Sequence, residues 1–172
     1  PNGFTWTARA AAEPNQWSDL AWSPDLNLFA AVAFSGTNRV MTSPDGITWT
    51  PRVPSTTNLW RSIAWSPNLE LFAAASTNGA ECIMTSPDGI TWTGRAVDDD
   101  NWNDIVWAEG IGMFVAVASG GTNRVMTSPD GITWTLKESA EQNQWLGVAW
   151  SQDIGFAVAV SNSGTNRVMK TL

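Results

Sequence analysis

The fourteen residues Thr37–Thr50 read TNRVMTSPDGITWT, and the same string recurs at Thr122–Thr135. A shorter copy, SPDGITWT, occupies Ser86–Thr93. Literal repeats of this kind indicate an array of similar structural units. The twelve tryptophans give the length of one unit, because they form three series whose successive members lie 42 or 43 residues apart: Trp6, Trp49, Trp92, Trp134; Trp17, Trp60, Trp102, Trp145; and Trp22, Trp65, Trp107, Trp150.

Each unit begins with two strands that differ in their pattern. Trp60–Trp65 predicts a first strand with Ile63 and Trp65 on one face and Ala64 on the other. The apolar run Leu71–Ala75 predicts a second strand that is covered on both faces. This combination is typical of sheets that are packed between neighbouring sheets.

The repeated string supplies the other two strands. Asn38–Ser43 predicts the third strand and Ile47–Thr50 the fourth, after a tight turn whose Gly46 can adopt a positive φ. Four strands per unit match a propeller blade, whereas helical repeats would show a 3.6-residue period that is absent. We therefore predict an all-β fold, a four-bladed β-propeller of four-stranded antiparallel blades. Residues 1–172 would form one domain of four repeats of about 43 residues.

The two ends of the chain complement each other. The last repeat stops at Asn166–Leu172 without its SPDGITWT strand, while the chain begins with Pro1–Thr7, PNGFTWT, which matches that strand. The repeats are thus offset by one strand, and the N-terminal strand is expected to complete the last blade. Such pairing would close the ring and leave no open lateral edge. The same sequence also fits two chains that share an eight-bladed ring.

The composition of the chain argues against some classes of partner. Sixteen acidic and nine basic residues give a net charge of −7 without a Lys/Arg cluster, which argues against nucleic acid. The longest apolar runs, Leu28–Phe34 and Met113–Ala118, are too short to cross a bilayer, so we expect no membrane insertion. The single Cys82 leaves the compartment open, and the scarcity of thiols is compatible with an extracellular or virion-surface location.

The string SPDGITW resembles the Asp-box, the Ser-x-Asp-x-Gly-x-Thr-Trp hairpin of sialidase-like propellers, through Ser43, Asp45, Gly46, Thr48 and Trp49. This copy is one residue shorter between Asp and Gly. The tryptophan-rich short blades are also similar to small propeller lectins of the tachylectin type. The resemblance implies a structural box in which Ser and Asp bond turn amides and Trp is buried. We expect this role of Asp45, Asp88 and Asp130.

Sialidase activity does not follow from the resemblance, because the chain has no Tyr nucleophile and only seven Arg. The absence of His removes serine-hydrolase triads, His-ligated zinc and the commonest general base. Asp19 and Asp104 occupy equivalent positions in the first and third repeats and could face each other across the axis, as the two carboxyl groups of a glycosidase do. Two solvated acids that line a narrow wet channel are the favoured interpretation. The run Asp98–Asp100 lacks the spacing of a calcium loop. We expect no enzyme, no cofactor and no metal.

Variable polar loops are expected at one end of the ring, where each junction between repeats places a Trp beside an Asn and faces an Asn-Arg pair. Aromatic rings beside amide and guanidinium donors suit a sugar. Alternatively, these Trp residues pack between blades while Asn residues cap turns. In the second repeat, Ala80–Cys82 replaces Thr-Asn-Arg, which leaves at most three equivalent sites. The candidate ligand-binding residues are Asn15, Trp17, Asn38, Arg39, Asn58, Trp60, Asn101, Trp102, Asn123, Arg124, Asn143, Trp145, Asn166 and Arg167.

These observations favour a non-enzymatic recognition module with multivalent, lectin-like carbohydrate binding, whose partner is a glycan or other surface ligand. The alternative is a structural or assembly subunit, such as a viral or filament surface protein, in which a homo-oligomer would be expected. A third possibility is a propeller fragment or an engineered symmetric protein without a native ligand, since near-identical repeats fit recent duplication or design.

Overall fold

The computed structural model describes residues 5–98 and 100–171, which form four antiparallel sheets. Sheet 1 contains β1 (Gln16–Ser23), β2 (Leu28–Ser35), β3 (Val40–Ser43) and β4 (Thr50–Arg52). Sheet 2 contains β5 (Trp60–Ser66), β6 (Leu71–Ser76), β7 (Ile83–Ser86) and β8 (Thr93–Arg95). Sheet 3 contains β9 (Trp102–Ala108), β10 (Met113–Ala118), β11 (Val125–Ser128) and β12 (Thr135–Lys137). Sheet 4 contains β13 (Trp145–Ser151), β14 (Phe156–Ser161) and β15 (Val168–Lys170).

Every sheet is a meander in which consecutive strands are neighbours, as the repeat predicts. One turn of 3₁₀ helix, Glu109–Ile111, precedes β10. No helix in the described part of the chain is long and apolar enough to span a membrane. The all-β class and the repeated antiparallel sheets are therefore confirmed.

The fourth strand begins later than its alternation predicts. The prediction began it at Ile47, whereas β4 begins at Thr50, opposite Thr42 of β3. The backbone N–H groups of Ile47 and Thr48 both donate to the carboxylate of Asp45, at 2.8 and 2.9 Å, and so they belong to the turn. A side chain thus competes with the strand ladder for these amides.

The sheets stack front to back. We call the side that carries Trp60, Ile63 and Phe72 in sheet 2, and its equivalent in the other sheets, the front face. The back face of sheet 1 carries residues such as Val32 and Val40, and these pack on the front face of sheet 2 in one apolar cluster. The same contact recurs between sheets 2 and 3 and between sheets 3 and 4. As predicted, Ile63 and Trp65 share the front face of sheet 2, while Ala64 faces sheet 3.

Each of the two outermost faces has an exposed apolar residue at a position that is buried in the inner sheets. On the front of sheet 1, Leu20 is 55% exposed, whereas the equivalent Ile63, Ile105 and Val148 are 8% exposed or less. On the back of sheet 4, Val160 is 51% exposed, whereas the equivalent Val32, Ala75 and Val117 are 1% exposed or less. The described residues therefore form an open arc of four sheets.

The N-terminal segment bears on the predicted closure of the ring. Pro1–Phe4 lie outside the described residues. Thr5–Thr7 lie outside any strand, and Trp6 is 94% exposed, so these residues do not extend sheet 4 beyond β15. Closure through this segment stays a prediction.

Candidate functional site

The first strands of the sheets surround a common axis. Neighbouring pairs among β1, β5, β9 and β13 contact one another in chain order. The residue after the first tryptophan of each sheet is Ser18, Arg61, Asn103 or Leu146. All four side chains line one cavity, which places them at the same end of the axis.

This axial cavity has a volume of about 590 Å³. Its volume lies within the range of small-molecule sites, about 300–1,000 Å³. The lining combines two aromatic rings with amide, hydroxyl and guanidinium groups: Gln16, Trp17, Ser18, Phe34, Arg61, Asn103 and Leu146. Trp17 is the one member of the predicted binding set among them.

Hydrogen bonds between sheets fix the cavity wall. The hydroxyl of Ser18 donates to the backbone oxygen of Trp60 at 2.8 Å, and the side-chain amide of Asn103 donates to that of Trp145 at 3.0 Å. The guanidinium of Arg61 lies 4.3 Å from the centre of the Phe34 ring, where a cation–π contact holds it. Its N–H donors have no hydrogen-bond partner among the described residues, so Arg61 can donate to a ligand.

Most of the tryptophans predicted to bind a ligand are buried. Trp60, Trp102 and Trp145 are 0% exposed, whereas Trp17 is half-buried. Each indole N–H in this series donates to the carbonyl oxygen four residues earlier, at 2.9–3.2 Å. A ligand at the junctions would therefore meet the polar loop residues, and only Trp17 offers it an indole surface.

The predicted asparagines hold opposing loops together. The side-chain amide of Asn15 donates to the backbone oxygen of Asn38 at 2.6 Å, and Asn143 bonds that of Asn166 at 2.7 Å. Asn58 bonds the carbonyl of Glu81 at 2.8 Å. Asn101 adopts a positive φ of 55° in the third junction, where its own carbonyl accepts the N–H of Ser119. The predicted proximity of the two loop sets is present.

Two carboxylates that the sequence reasoning missed complete these loops. Glu13 accepts the backbone and side-chain N–H groups of Asn38, and these bonds, the side-chain one first, hold the pKa of Glu13 below its ordinary value. Glu141 makes the same contacts with Asn166, which likewise lowers the pKa of Glu141. Both glutamates lie four residues before a first-strand tryptophan, a signal that the repeat alignment contains.

The predicted arginines reach the next sheet. Arg39 donates to the backbone oxygens of Thr57 and Asn58, before the first strand of sheet 2. Arg124 donates in the same way to Gln142, before sheet 4. Asn123, which precedes it, is half-buried. Among residues 5–98 and 100–171, the side chain of Arg167, directly before β15, bonds only the carbonyl of Gly164 in its own loop.

The acidic pair shares a serine. The hydroxyl of Ser62 lies 2.8 Å from Asp19 and 2.7 Å from Asp104. Burial, and in smaller part the charge of Asp19, raises the pKa of Asp104. Neither aspartate lines the axial cavity. Ser62 occupies the equivalent position in sheet 2, so the repeat alignment could have placed it with them.

The acidic run Asp98–Asp100 serves the third junction. The backbone oxygen of Asp98 accepts the indole N–H of Trp102 at 2.9 Å, and Asp99 lies outside the described residues. Within residues 5–98 and 100–171, no three His, Cys, Asp or Glu side chains are placed to hold a metal ion.

No family model and no curated protein matches the sequence. The structure is similar to hydrazine synthase of Kuenenia stuttgartiensis, with a TM-score of 0.73 and 14% identity over 98% of this chain and 49% of that one. It is also similar to the GH74 enzyme of Niastella koreensis, with a TM-score of 0.71 and 19% identity over 90% of this chain and 28% of that one. The computationally designed Ika4 protein matches with a TM-score of 0.67 and 11% identity over 95% and 98% of the two chains.

These likenesses show the fold alone, a β-propeller-like arrangement of repeated sheets. The chain spans half or less of the two natural proteins and nearly all of the designed one.

Proposed function

We propose that the chain is a non-enzymatic carbohydrate-recognition module whose principal sugar site is the axial cavity. The observation that carries the proposal is the lining of that cavity, which combines the half-buried ring of Trp17 and the exposed Arg61 with amide groups. The guanidinium of Arg61 has no hydrogen-bond partner in the described part of the chain. Apolar sugar faces pack on aromatic rings, while sugar hydroxyls bond amides and guanidinium groups. The acidic pair lies outside this cavity, which supports binding without hydrolysis.

The junction loops provide the weaker, repeated part of the proposed recognition. Arg39 and Arg124 are held by backbone carbonyls, and so their remaining N–H donors point from fixed positions. Several such contacts along one glycan would raise the overall affinity through multivalency.

The first test is a glycan array, followed by titration of the best sugar with tryptophan fluorescence. Arg61→Ala removes the free guanidinium and should weaken binding at least 10-fold, because hydrogen bonds to a charged group contribute about 1.5–3 kcal/mol. Arg95→Ala is the matched control, since Arg95 bonds Thr85 in the outer strands and does not line the cavity.

Two outcomes would contradict the sugar site. One is the absence of any sugar response at millimolar concentrations. The other is an equal loss of affinity in the Arg61 and Arg95 variants, which would place the sugar elsewhere.

A structural or assembly role is the second candidate function. The observation that favours it is the pair of exposed apolar end faces, marked by Leu20 and Val160. Exposed apolar sheet faces commonly mark interaction surfaces. This role and sugar binding use different surfaces and are compatible.

A further inference from the structure

We propose that a second copy of this chain closes the arc head to tail: the front face of sheet 1 in each copy packs on the back face of sheet 4 in the other. Two arcs would then form one ring with two identical contacts and no exposed end. The proposal is argued from contacts at the two ends of the arc and does not require sugar binding.

The apolar part of this contact already exists three times within the chain. Between sheets 1 and 2, Val32 belongs to the same buried cluster as Ile63, and between sheets 3 and 4, Val117 belongs to the same cluster as Val148. Val160 occupies the position of Val32 and Val117, and Leu20 occupies that of Ile63 and Val148. Leu20 and Val160 are therefore the two halves of a contact that the same fold makes elsewhere, and here both side chains are more than half exposed.

A polar pair on the end faces matches as well. The indole N–H of Trp65 donates to the carboxylate of Asp25 in sheet 1 at 3.1 Å, and that of Trp107 donates to Asn68 in sheet 2 at 3.2 Å. The equivalent acceptor on sheet 4 is Asp153, and the equivalent donor on sheet 1 is Trp22. Neither has a hydrogen-bond partner among the described residues. Head-to-tail packing would bring this donor and this acceptor together.

Sheet 3 shows what happens when the position equivalent to Asp25 and Asn68 has no side-chain acceptor for the indole N–H of the next sheet. Gly110 stands there, so it offers Trp150 no side-chain acceptor, and the indole N–H of Trp150 bonds Gln152 of its own sheet instead. Asp153 therefore supplies the outer face of sheet 4 with a group that the back face of sheet 3 lacks.

The arginine of sheet 4 points to the same arrangement. Arg39 and Arg124 each bond backbone oxygens two or three residues before the first tryptophan of the following sheet. Arg167 has no such acceptor among the described residues. The equivalent oxygens before Trp17 belong to Pro14 and Asn15, on the front side of sheet 1, and we assign them to the Arg167 of a second copy.

An apolar cavity of about 300 Å³ lies between sheets 3 and 4, and it offers a further place of contact for the second copy. In sheet 2, Trp92 of the fourth-strand series fills the equivalent space, within a cluster that contains Ala30, Val40, Phe72 and Met84. The residues at those four positions around the cavity are Val115, Val125, Ala157 and Met169. The cavity is therefore the place of a missing fourth-strand tryptophan, enlarged because Ala157 stands where sheet 2 has Phe72.

Trp6 is the tryptophan that fits this cavity, and chain spacing assigns it to a second copy. Trp6 precedes Trp17 by eleven positions, as Trp49 precedes Trp60. Trp49 belongs to the sheet before Trp60, and so Trp6 belongs to a sheet that lies before sheet 1. In the arc, sheet 4 is at the opposite end, with its back face exposed. A partner copy that packs its sheet 1 on this face brings its own Trp6 to the cavity.

The test is the mass of the chain in solution by sedimentation velocity over a range of concentrations. The expected mass is twice the 18.6 kDa of one chain. Val160→Glu and Leu20→Glu each place an unpaired charge in both contacts of the ring and should give monomers. Ile132→Glu, at a turn position that is 56% exposed, is the matched control and should remain dimeric. Trp6→Ala should raise the dimer dissociation constant at least 10-fold.

Mixing separates head-to-tail packing from any symmetric alternative. The Leu20→Glu chain keeps a normal sheet 4, and the Val160→Glu chain keeps a normal sheet 1, so an equimolar mixture retains one intact contact and should regain dimer mass. Circular dichroism of each variant verifies that it is folded. A monomeric wild-type chain, open-ended polymers, or a mixture that remains monomeric would each overturn the proposal.

Discussion

At the scale of single residues, the Ser-Pro-Asp-Gly turn is held by two side chains. In sheet 2, the hydroxyl of Ser86 accepts the N–H of Gly89 at 2.8 Å and donates to Asp88 at 2.9 Å. The carboxylate of Asp88 in turn accepts the N–H groups of Ile90 and Thr91, both at 2.7 Å. Two polar side chains thus satisfy the amides of a turn that no ladder reaches.

Ser86→Ala is expected to lower the free energy of unfolding by about 1–3 kcal/mol, because it leaves the buried N–H of Gly89 without an acceptor. Urea unfolding measures the effect as a lower midpoint with an unchanged m-value. Thr48→Ala removes an exposed hydroxyl from the equivalent turn of sheet 1 and should change the midpoint little. Equal losses in the two variants would show that the serine bond is not the stabilising contact.

Hydrogen bonds between residues close in the chain could be predicted from the sequence, whereas those between distant loops could not. Ser86 and Asp88 bond amides within three positions, where turn preferences are readable. Glu13 bonds Asn38 across 25 positions, and only the folded loops bring them together. The same reason explains the tryptophans: their spacing predicted the repeat, but it could not say that Trp60 would be fully buried.

At the scale of elements, the turn glycines share a positive φ but differ in how closely their neighbours approach. Gly131 has a φ of +71°, and a Cβ there would lie 2.6 Å from a methyl group of Leu71 in sheet 2. Gly155 has nearly the same φ, +72°, but no atom within 4 Å of its Cβ position. The turn between β11 and β12 is thus also a contact between sheets, whereas the turn between β13 and β14 is not.

Gly131→Ala should therefore destabilise the chain more than Gly155→Ala. Both substitutions carry the left-handed strain of about 1–2 kcal/mol. Only Gly131→Ala adds a collision with Leu71, which must shift its side chain. Thermal unfolding of the two variants measures the difference. A Gly155→Ala variant with an equal or larger loss would mean that backbone strain alone sets the effect.

At the scale of the whole molecule, the repeat period predicted the four sheets and their stacking, whereas closure of the ring stays a prediction. The exposure of Leu20 and Val160 could not be predicted from the repeat, because the equivalent Ile63 and Val32 of the inner contacts are buried.

The free energy of unfolding of the whole chain should also depend on pH through the carboxyl group of Asp104. Burial raises the pKa of Asp104, so the folded state binds its proton more tightly than the unfolded state does. Asp104 therefore disfavours folding increasingly as the pH rises from the ordinary carboxyl range through the raised pKa.

Asp104→Asn removes this pH-dependent contribution to the free energy of unfolding, because the amide stays neutral. The free energy of unfolding of the variant, minus that of the wild type, should increase from about pH 4 to pH 7. Asp45 provides the opposite case: the N–H groups of Thr48 and then Ile47 lower the pKa of Asp45, and its contribution to stability is lost as the pH falls. For Asp45→Asn, the same difference should therefore become more negative toward neutral pH. Urea unfolding of both variants and the wild type across this range measures the two slopes. Slopes of the same sign would contradict the opposite pKa shifts assigned to Asp104 and Asp45.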